Sequence, residues 1–376
     1  MKIGVPKETA EGERRVALVP DVAKSLAAGE KVSVLVEKGA GEAAGHPDSE
    51  YAEAGAEVVE GDVTWGADVV LRVAAPSTAE IGRLNSNQVL IGHLSPWTAA
   101  ETNKALAGAG VTSFAMEAIP RTTRAQAMDA LSSQAAAAGY AAMLIAARES
   151  GRFFGMMTTA AGTVPPAKVL VLGAGVAGLQ AVATAKRLGA IVTGFDIRRA
   201  AWEQIASLGG RPLELDFIPD AEGEGGYARP LTEEENAQVR EALGENAGKQ
   251  DVIVTTAAIP GRPAPLLITA DAVRGMQPGS VIVDLAAETG GNCELTEAGQ
   301  TVVENGVKVV GPRNLASEMP RPASQLYAKN LENLLGLLIS EEGELSLDFE
   351  DDIVDAACIT HGGEIRNERA AGRDSS

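Results

Sequence analysis

Only two cysteines occur in the 376 residues, Cys293 and Cys358, far apart and without a CxxC pair. That excludes a disulfide scaffold, a zinc ribbon and an iron–sulfur site, and it suits a reducing cytosol. Histidine is as scarce: His46, His93 and His361 stand at no metal-ligand spacing, and no metal is expected. Aromatic residues make up 3% of the chain, so its core must be built from Ala, Val, Leu and Ile. Positive charge is short as well, 32 basic residues against 51 acidic, for a formal net charge of −19. Negative charge of that size repels phosphate backbones and anionic lipid, which argues against a nucleic-acid or lipid-surface role. No run of about 18 uncharged apolar residues is read in the chain, LENLLGLLIS being short and amphipathic, so direct membrane insertion is not expected. The start, MKIGVPKE, runs into a strand-like segment with no apolar signal region behind a basic end.

What is present points to an α/β protein. Strand candidates KIGV, KVSVLVE, ADVVLRV, QVLIGHL and VTSFAME alternate with helical segments over the first 118 residues. Among the helices, DVAKSLAAG reads as opening on an Asp cap and closing at Gly29. Such alternation implies a parallel sheet covered on both faces. An Ala-rich helix from about Ser132 to Ser150 follows, broken only by Gly139. After Pro165-Pro166 a second unit begins with KVLVLGAG, the helix VAGLQAVATAKRLG, and the strand IVTGFDIRR. DVIVTTA, SVIVDLA and KVVGP continue it as nearly unbroken apolar strands. PASQLYAKNLENLLGLLIS reads as a helix returning to the first domain, and RNERAAGRDSS as a solvated tail. The expected architecture is two doubly wound, Rossmann-like parallel-sheet domains with an inter-domain cleft. The first comprises residues 1–130 with 316–376, and the second residues 131–315.

Two constellations carry chemistry. Gly173-Ala174-Gly175-Val176-Ala177-Gly178 follows a strand and opens a helix. Gly173 permits the tight turn, Gly175 lets the backbone approach a pyrophosphate, and Gly178 lets helix and strand pack closely. The helix N-terminus adds N–H groups and a positive dipole. Asp196 ends the next strand, 18 residues past Gly178, where an acid accepts hydrogen bonds from ribose hydroxyls. The alternative is a packing turn without ligand. Arg198 and Arg199 beside the acid point toward NADP(H), whereas the acid itself favours NAD(H), and the acid is taken to decide. The second constellation is IPRTTRAQAMDALSSQ. Arg121, Gln126, Asp129 and Ser132 suit a nicotinamide carboxamide, with Asp taking the N–H donors and Arg or Ser serving the carbonyl. The plainer reading is a charged first helical turn with Asp129 on the dipole. Between the strands, DFIPDAEGEGGYARPLTEEE (216–235) is longer than the roughly 12–15 residues usual for a plain loop. It reads either as a surface loop or as a hinged lid carrying Tyr227 behind Gly225-Gly226.

IPRTTRAQAMDALSSQ, MTTAAGTVPPAKVLVLGAGVAGLQAVATAKRLGA, GGYA, TTAAIPGRPAP and VDLAAETGGNCE together resemble the NAD(H)-binding component of proton-translocating nicotinamide nucleotide transhydrogenases. The resemblance covers nearly the whole chain, weakening only in about the last 40 residues, and looks like the split form, whose component is separate from the membrane subunits. It implies hydride transfer between NADH bound here and NADP(H) on a partner subunit, coupled to proton movement through transmembrane subunits. It also implies a homodimer, placed in the cytoplasm and peripheral to the membrane. Around the nicotinamide it implies Arg121, Gln126, Asp129, Ser132 and the mobile-loop Tyr227. The cofactor-binding set it implies adds Thr122, Thr123, Arg124, Gly173, Gly175, Val176, Ala177, Gly178, Asp196, Ile197, Arg198, Gly226, Ala257 and Ala258. The chain is also similar to alanine dehydrogenases, which place a substrate-binding Arg at Arg15 and a His at His93. Their essential Lys falls on Ala74 here, and their catalytic Asp on Glu288. Alanine cannot bind a carboxylate or activate an imine, so amino-acid dehydrogenation is the weaker reading. A non-catalytic NAD(H)-sensing module is the other alternative.

Overall fold

The computed structural model describes residues 1–29, 31–215, 229, 231–258 and 262–372. The chain divides into two units, residues 1–134 with 319–376, and residues 135–318. Each is a mixed α/β unit built on a mainly parallel sheet.

In the first unit the five expected strands form at Lys2–Val5, Ser33–Glu37, Val69–Leu71, Val89–Gly92 and Thr112–Ala115. Glu57–Val59 adds a sixth that weak apolarity hides. The parallel order runs Glu57–Val59, Ser33–Glu37, Lys2–Val5, Val69–Leu71, Val89–Gly92, Thr112–Ala115. Two antiparallel strands, Cys358–His361 and Glu364–Ile365, complete that edge. Side chains alternate across the sheet as the two-residue strand period demands. Val69, Leu71, Val89 and Ile91 face one core with Val22, Leu331 and Leu335, while Val70 and Leu90 face another with Trp65, Leu106 and Ile359. Both faces being covered explains the nearly continuous apolar runs.

Several local expectations change. The helix at Pro20–Ala27 has Val19 at its N-cap, Pro20 in its first turn and Ala28 at its C-cap. Proline's fixed φ starts the helix, so Asp21 lies within the first turn instead of capping it. The C-terminal segment is not a free tail up to residue 372. Arg366 lies over Phe349, Arg369 over Trp97, and buried Ala370 accepts from Asn103 Nδ2 at 3.3 Å. The helix Ala130–Ser150 is also, by length and composition, apolar enough to cross a membrane, contrary to the reading that no such run exists. Its apolarity is alanine, a small residue that an apolar-run search by eye underrates, and nearly half of that window is buried in the protein.

The second sheet runs Arg211–Pro212, Ile191–Phe195, Lys168–Leu172, Val252–Thr255, Val281–Asp284, Val307–Val310, Thr301–Glu304, with the last strand antiparallel. A separate hairpin, Met157–Thr159 with Gly162–Val164, belongs to neither large sheet. The expected 216–235 loop is shortened by a helix at Glu233–Ala247. Thr232 and Glu235 form its capping box, with Glu235 N donating to Thr232 Oγ1 at 3.2 Å and Thr232 N to Glu235 Oε2 at 2.7 Å. The T-x-x-E spacing was the signal for it. Gly226 and Tyr227 lie outside the described residues.

In both sheets the first strand has the second on one side and the fourth on the other, so the direction of winding reverses beside it. In doubly wound folds a crevice opens at that place, past the carboxyl ends of the strands. The first unit fills its own crevice. Arg72, 0% exposed, donates to Glu8 Oε1 and Oε2 at 3.1 and 2.9 Å and to Glu80 Oε1 at 2.8 Å. Val73 N–H adds a 2.6 Å bond to Glu8, and the guanidinium lies over the Trp65 ring. Burial lifts the Glu8 carboxyl above its usual range despite Arg72. At Glu80 burial also works upward, but the bonds from Arg72 and Ser77 outweigh it and hold the carboxyl at about 2. A carboxyl depressed in the folded state stabilises the fold above its ordinary value and loses that contribution as pH falls through the depressed one. Glu80→Gln is therefore expected to cost about 2–3 kcal/mol at neutral pH, with the deficit shrinking toward pH ~2. Urea unfolding of both proteins across that range measures it, and a pH-independent deficit contradicts the assignment.

Candidate functional site

Among the described residues, no buried ion-pair network like that of Arg72 fills the corresponding strand ends of the second unit. Lys168–Leu172 and Val252–Thr255 lie side by side, and their ends deliver Gly173 and Thr256 to the same place. Gly173 has φ 93°, the left-handed region that glycine enters without penalty, and its N–H donates to Phe195 O at 2.8 Å. A Cβ on it would meet Thr256 Oγ1 at 2.7 Å. A Cβ on Gly178 would collide with the Gly173 carbonyl oxygen. The first and third glycines are thus required by packing alone. Gly175 is different: nothing lies within 4 Å of where its Cβ would be. It is exposed and is the N-cap of the helix Val176–Arg187, with no side chain capping the helix N–H groups and no acid in the first turn. Among the described residues the middle glycine has no packing reason and no side chain accepts from the first helix N–H groups beside it, and such groups need an acceptor.

Gly139 completes this corner. A side chain there would strike the Ala177 carbonyl, so the long helix crosses the start of Val176–Arg187 in backbone contact. An isolated glycine in an otherwise Ala-rich helix was the only sequence sign. On the other side, Thr256 Oγ1 donates to Gly173 O at 3.1 Å. Asn292 clamps the following segment, accepting from Ala257 N at 3.0 Å and donating to the carbonyls of Ala257 and Pro265 at 2.8 Å each. Asn292 is held in turn by Asp284, fully buried at the end of Val281–Asp284. That carboxylate accepts from Thr255 Oγ1, Ala286 N, Asn292 N, Cys293 N and Thr296 Oγ1 at 2.6–3.0 Å. Sequence reasoning missed Asp284 and Asn292, because an acid ending a strand inside VDLAAETGGNCE has no local pattern that tells a hub from a ligand. The neighbouring Cys293 thiol is pushed up to about 11 by burial, and so is an inert core group.

Asp196 sits at the end of Ile191–Phe195 and is 7% exposed. Its Oδ2 accepts from Ala174 N at 2.8 Å and its Oδ1 from Arg198 N at 2.9 Å. The Arg198 guanidinium lies on the same carboxylate. Trp202 Nε1 donates to the Asp196 carbonyl at 3.0 Å. The structure therefore brings Gly173, Gly175, Val176, Ala177, Gly178, Asp196, Ile197, Arg198, Ala257 and Ala258 together in the second unit, at or beside one set of strand ends.

In the first unit, Arg121, Thr122, Thr123, Arg124 and Gln126 lie exposed on the segment before the long helix. Gln126–Met128 is a single 3₁₀ turn, and the α-helix starts only at Ala130. Asp129 caps it, accepting from Ser132 N at 2.9 Å and from Ser132 Oγ at 2.5 Å. Gln126 and Asp129 thus stand on a 3₁₀ turn and at a cap, and neither lies within a first α-helical turn. Arg124 is tied to Asp351 at 2.6 and 2.7 Å and also to Asp352, and the Arg124 bond holds the Asp351 carboxyl down at about 2. Arg15 is buried with its guanidinium on Glu13 at 2.6 and 2.8 Å and on Gln134 at 2.9 Å. His93 stacks on Tyr327, ring centres 5.1 Å apart, with its Nδ1 3.7 Å from Glu117. Ala74 brings no polar side chain to this group, and Glu288 lies on an exposed turn accepting from Asn314 N at 3.1 Å.

A strand, a glycine turn and a helix whose N-terminus no described side chain caps, with an acid at the end of the second strand, define a dinucleotide-binding α/β protein. Comparison with known proteins makes this specific. Residues 4–138 match the N-terminal and residues 142–368 the C-terminal domain model of the alanine dehydrogenase/PNT family, and the chain belongs to that family. It is 47% identical to a NAD(P) transhydrogenase subunit alpha component of Rhodospirillum rubrum, covering 97% of each chain. The crystal structure of transhydrogenase from Sinorhizobium meliloti matches with TM-score 0.86 and 44% identity over 98% of this chain and 99% of that one. An L-alanine dehydrogenase structure matches at TM-score 0.80 and 27% identity over 99% of both chains.

The glycine geometry separates packing from binding. Gly139→Ala is expected to lower stability by about 2–3 kcal/mol, because backbone must shift to admit the methyl, whereas Gly175→Ala leaves thermal unfolding nearly unchanged. Calorimetry on the two variants checks this, and equal losses would show that Gly175 is a packing residue too.

Proposed function

We propose that this chain is the NAD(H)-binding subunit of a proton-translocating NAD(P) transhydrogenase. In this reading NADH bound here exchanges hydride with NADP(H) bound on a partner subunit, and transmembrane subunits carry the protons. The observation that carries the reading is that no described residue crowds Gly175 or caps the helix N–H groups beside it, with Asp196 at the end of the adjoining strand. These residues fit a dinucleotide: Gly175, Val176 and Ala177 would hold the pyrophosphate by backbone N–H groups, and Asp196 would accept from the ribose hydroxyls. Ala257, fixed by Asn292, and the following Ala258 would present methyl groups and backbone to the cofactor. A 2′-phosphate removes one hydroxyl donor and brings negative charge against Asp196, which favours NAD(H). Gly226 and Tyr227 retain the roles the family resemblance implies.

Bound NAD(H) supplies the hydride chemistry, and this chain has to bind, orient and keep water away. No acid or base is needed for direct transfer between two nicotinamides, which asks for approach at about 3–3.5 Å in a dry site. Arg121, Gln126, Asp129 and Ser132 are the residues assigned to the nicotinamide end, with Gln126 as the orienting amide. Ser132 and Asp129 already hold each other, so the pair offers a fixed acceptor. The alanine dehydrogenase reading keeps Arg15 and His93 but lacks its amine: Ala74 stands in its place, and the Arg15 charge already lies on Glu13. Homodimer formation is supported by the exposed hairpin at 157–164 and by exposed Phe153, Met156, Met157 and Val164 around it. Location in the cytoplasm, held at the membrane through partner subunits, follows from the same reading.

Asp196→Ala is expected to weaken NADH binding by about 1–3 kcal/mol through loss of charge-assisted hydrogen bonds. Gly175→Ala should weaken it at least as much while stability holds. Isothermal titration with NADH and NADPH measures both, and equal wild-type affinity for the two cofactors would remove the ribose assignment.

Gln126→Asn, reconstituted with an NADP(H)-binding partner, is expected to slow single-turnover hydride transfer at least tenfold, about 1.4 kcal/mol of barrier. The NADH dissociation constant should move far less, because an orienting contact is expressed mainly in the transition state. A rate loss fully matched by weaker NADH binding contradicts an orienting role.

A further inference from the structure

Asp196 has no acceptor capacity left in this structure. A carboxylate offers about four lone-pair sites, and four donors occupy them. Ala174 N and Arg198 N take one on each oxygen, at 2.8 and 2.9 Å. Arg198 Nε takes a second on Oδ1 and Arg198 Nη2 a second on Oδ2, each at 2.9 Å. Two of the four donors are backbone groups fixed by the turn after Leu172 and by the strand end. The other two belong to one long, partly exposed side chain.

We infer that the Arg198 guanidinium is an internal occupant of the ribose site, which the vicinal diol of an adenosine nucleotide displaces on binding. This rests on the reading of Asp196 as the ribose acid. The counts match: departure of the guanidinium frees one acceptor site on each oxygen, and a 2′,3′-diol brings two O–H donors. The acid itself stays in place during the exchange. Two backbone N–H groups continue to hold its oxygens, and Trp202 Nε1 holds its carbonyl at 3.0 Å. Arg198 is the movable partner, on a flexible stem two residues along the chain.

The device has a physical purpose. A buried carboxylate without partners is costly, and the guanidinium satisfies it until ligand arrives. The same bond sets a threshold for binding. A ligand with both hydroxyls replaces what it displaces, whereas one lacking a hydroxyl leaves Asp196 under-bonded. Arg198 thereby acts as a specificity residue for an intact ribose diol, and the affinity for such ligands is reduced by the fraction of molecules in which the guanidinium is closed on the acid.

The test uses the full chain with NADH, AMP and 2′,3′-dideoxy-AMP in isothermal titrations. Arg198→Ala and the longer neutral Arg198→Met are expected to bind NADH and AMP roughly threefold or more tighter than wild type, with no gain for 2′,3′-dideoxy-AMP. In the wild type, the Arg198 Nε–H NMR resonance should shift with AMP and stay in place with 2′,3′-dideoxy-AMP, a readout that needs no variant to fold. Unchanged or weaker AMP binding in both variants, an equal gain for the dideoxy nucleotide, or an Nε–H signal indifferent to AMP overturns the proposal. Asp196→Ala keeps the two claims apart. If it weakens AMP while the Arg198 results fail, the ribose acid stands and the displacement is wrong; if it leaves AMP binding unchanged, both fall.

Discussion

The second unit depends on one close approach: backbone against backbone where Val176–Arg187 begins. The Gly173 carbonyl occupies the place where Gly178 would carry a Cβ, and the Ala177 carbonyl occupies the place where Gly139 would carry one. Three elements meet there with no side chain between them. That contact sets the direction of the helix, and the helix direction aims its first N–H groups over Gly175. It also brings Ala174 N to 2.8 Å from Asp196, so the acid's position follows from the same turn. Larger residues at these glycines would push the helix off the strand and remove the anion site with it.

The two sheets share a winding pattern and use it oppositely. In the first unit the reversal point is closed by Arg72 between Glu8 and Glu80, a charged group at no exposure. Removing one partner of such a network leaves an uncompensated buried charge, so it is costly to open. In the second unit the corresponding place is floored by glycine, alanine and threonine, and its charged pair, Asp196 with Arg198, lies at the end of the neighbouring strand. The fold alone therefore does not locate the site. The residues at the strand ends decide which crevice is a plug and which is a receptacle.

The similarity to alanine dehydrogenase illustrates the same separation of fold from chemistry. Arg15 and His93 remain and are held in defined places, Arg15 on Glu13 and Gln134, His93 on Tyr327 and near Glu117. Ala74 in place of an amine takes away the group that proton transfer on an amino acid requires. A fold shared over the whole chain is compatible with a reaction that moves only a hydride.

Much of this was written locally. Alternating apolar strands and helices, the glycine triplet behind a strand, and an acid 18 residues on are short-range patterns. They can be read because a left-handed φ or a close backbone approach demands glycine within a few residues of the strand it serves. The return of Pro320–Leu338 to the first unit was legible from its apolar face. Tertiary structure decided the rest, because the deciding partners are distant in sequence. Arg124 meets Asp351 across 227 positions, Asn292 holds Ala257 across 35, and Gly139 meets Ala177 on another helix. Arg198 and Asp196 are only two residues apart, yet spacing did not say whether that arginine awaits a phosphate or covers the acid. Only the strand end that turns Asp196 inward, and the N–H groups that hold it there, place the guanidinium on the carboxylate.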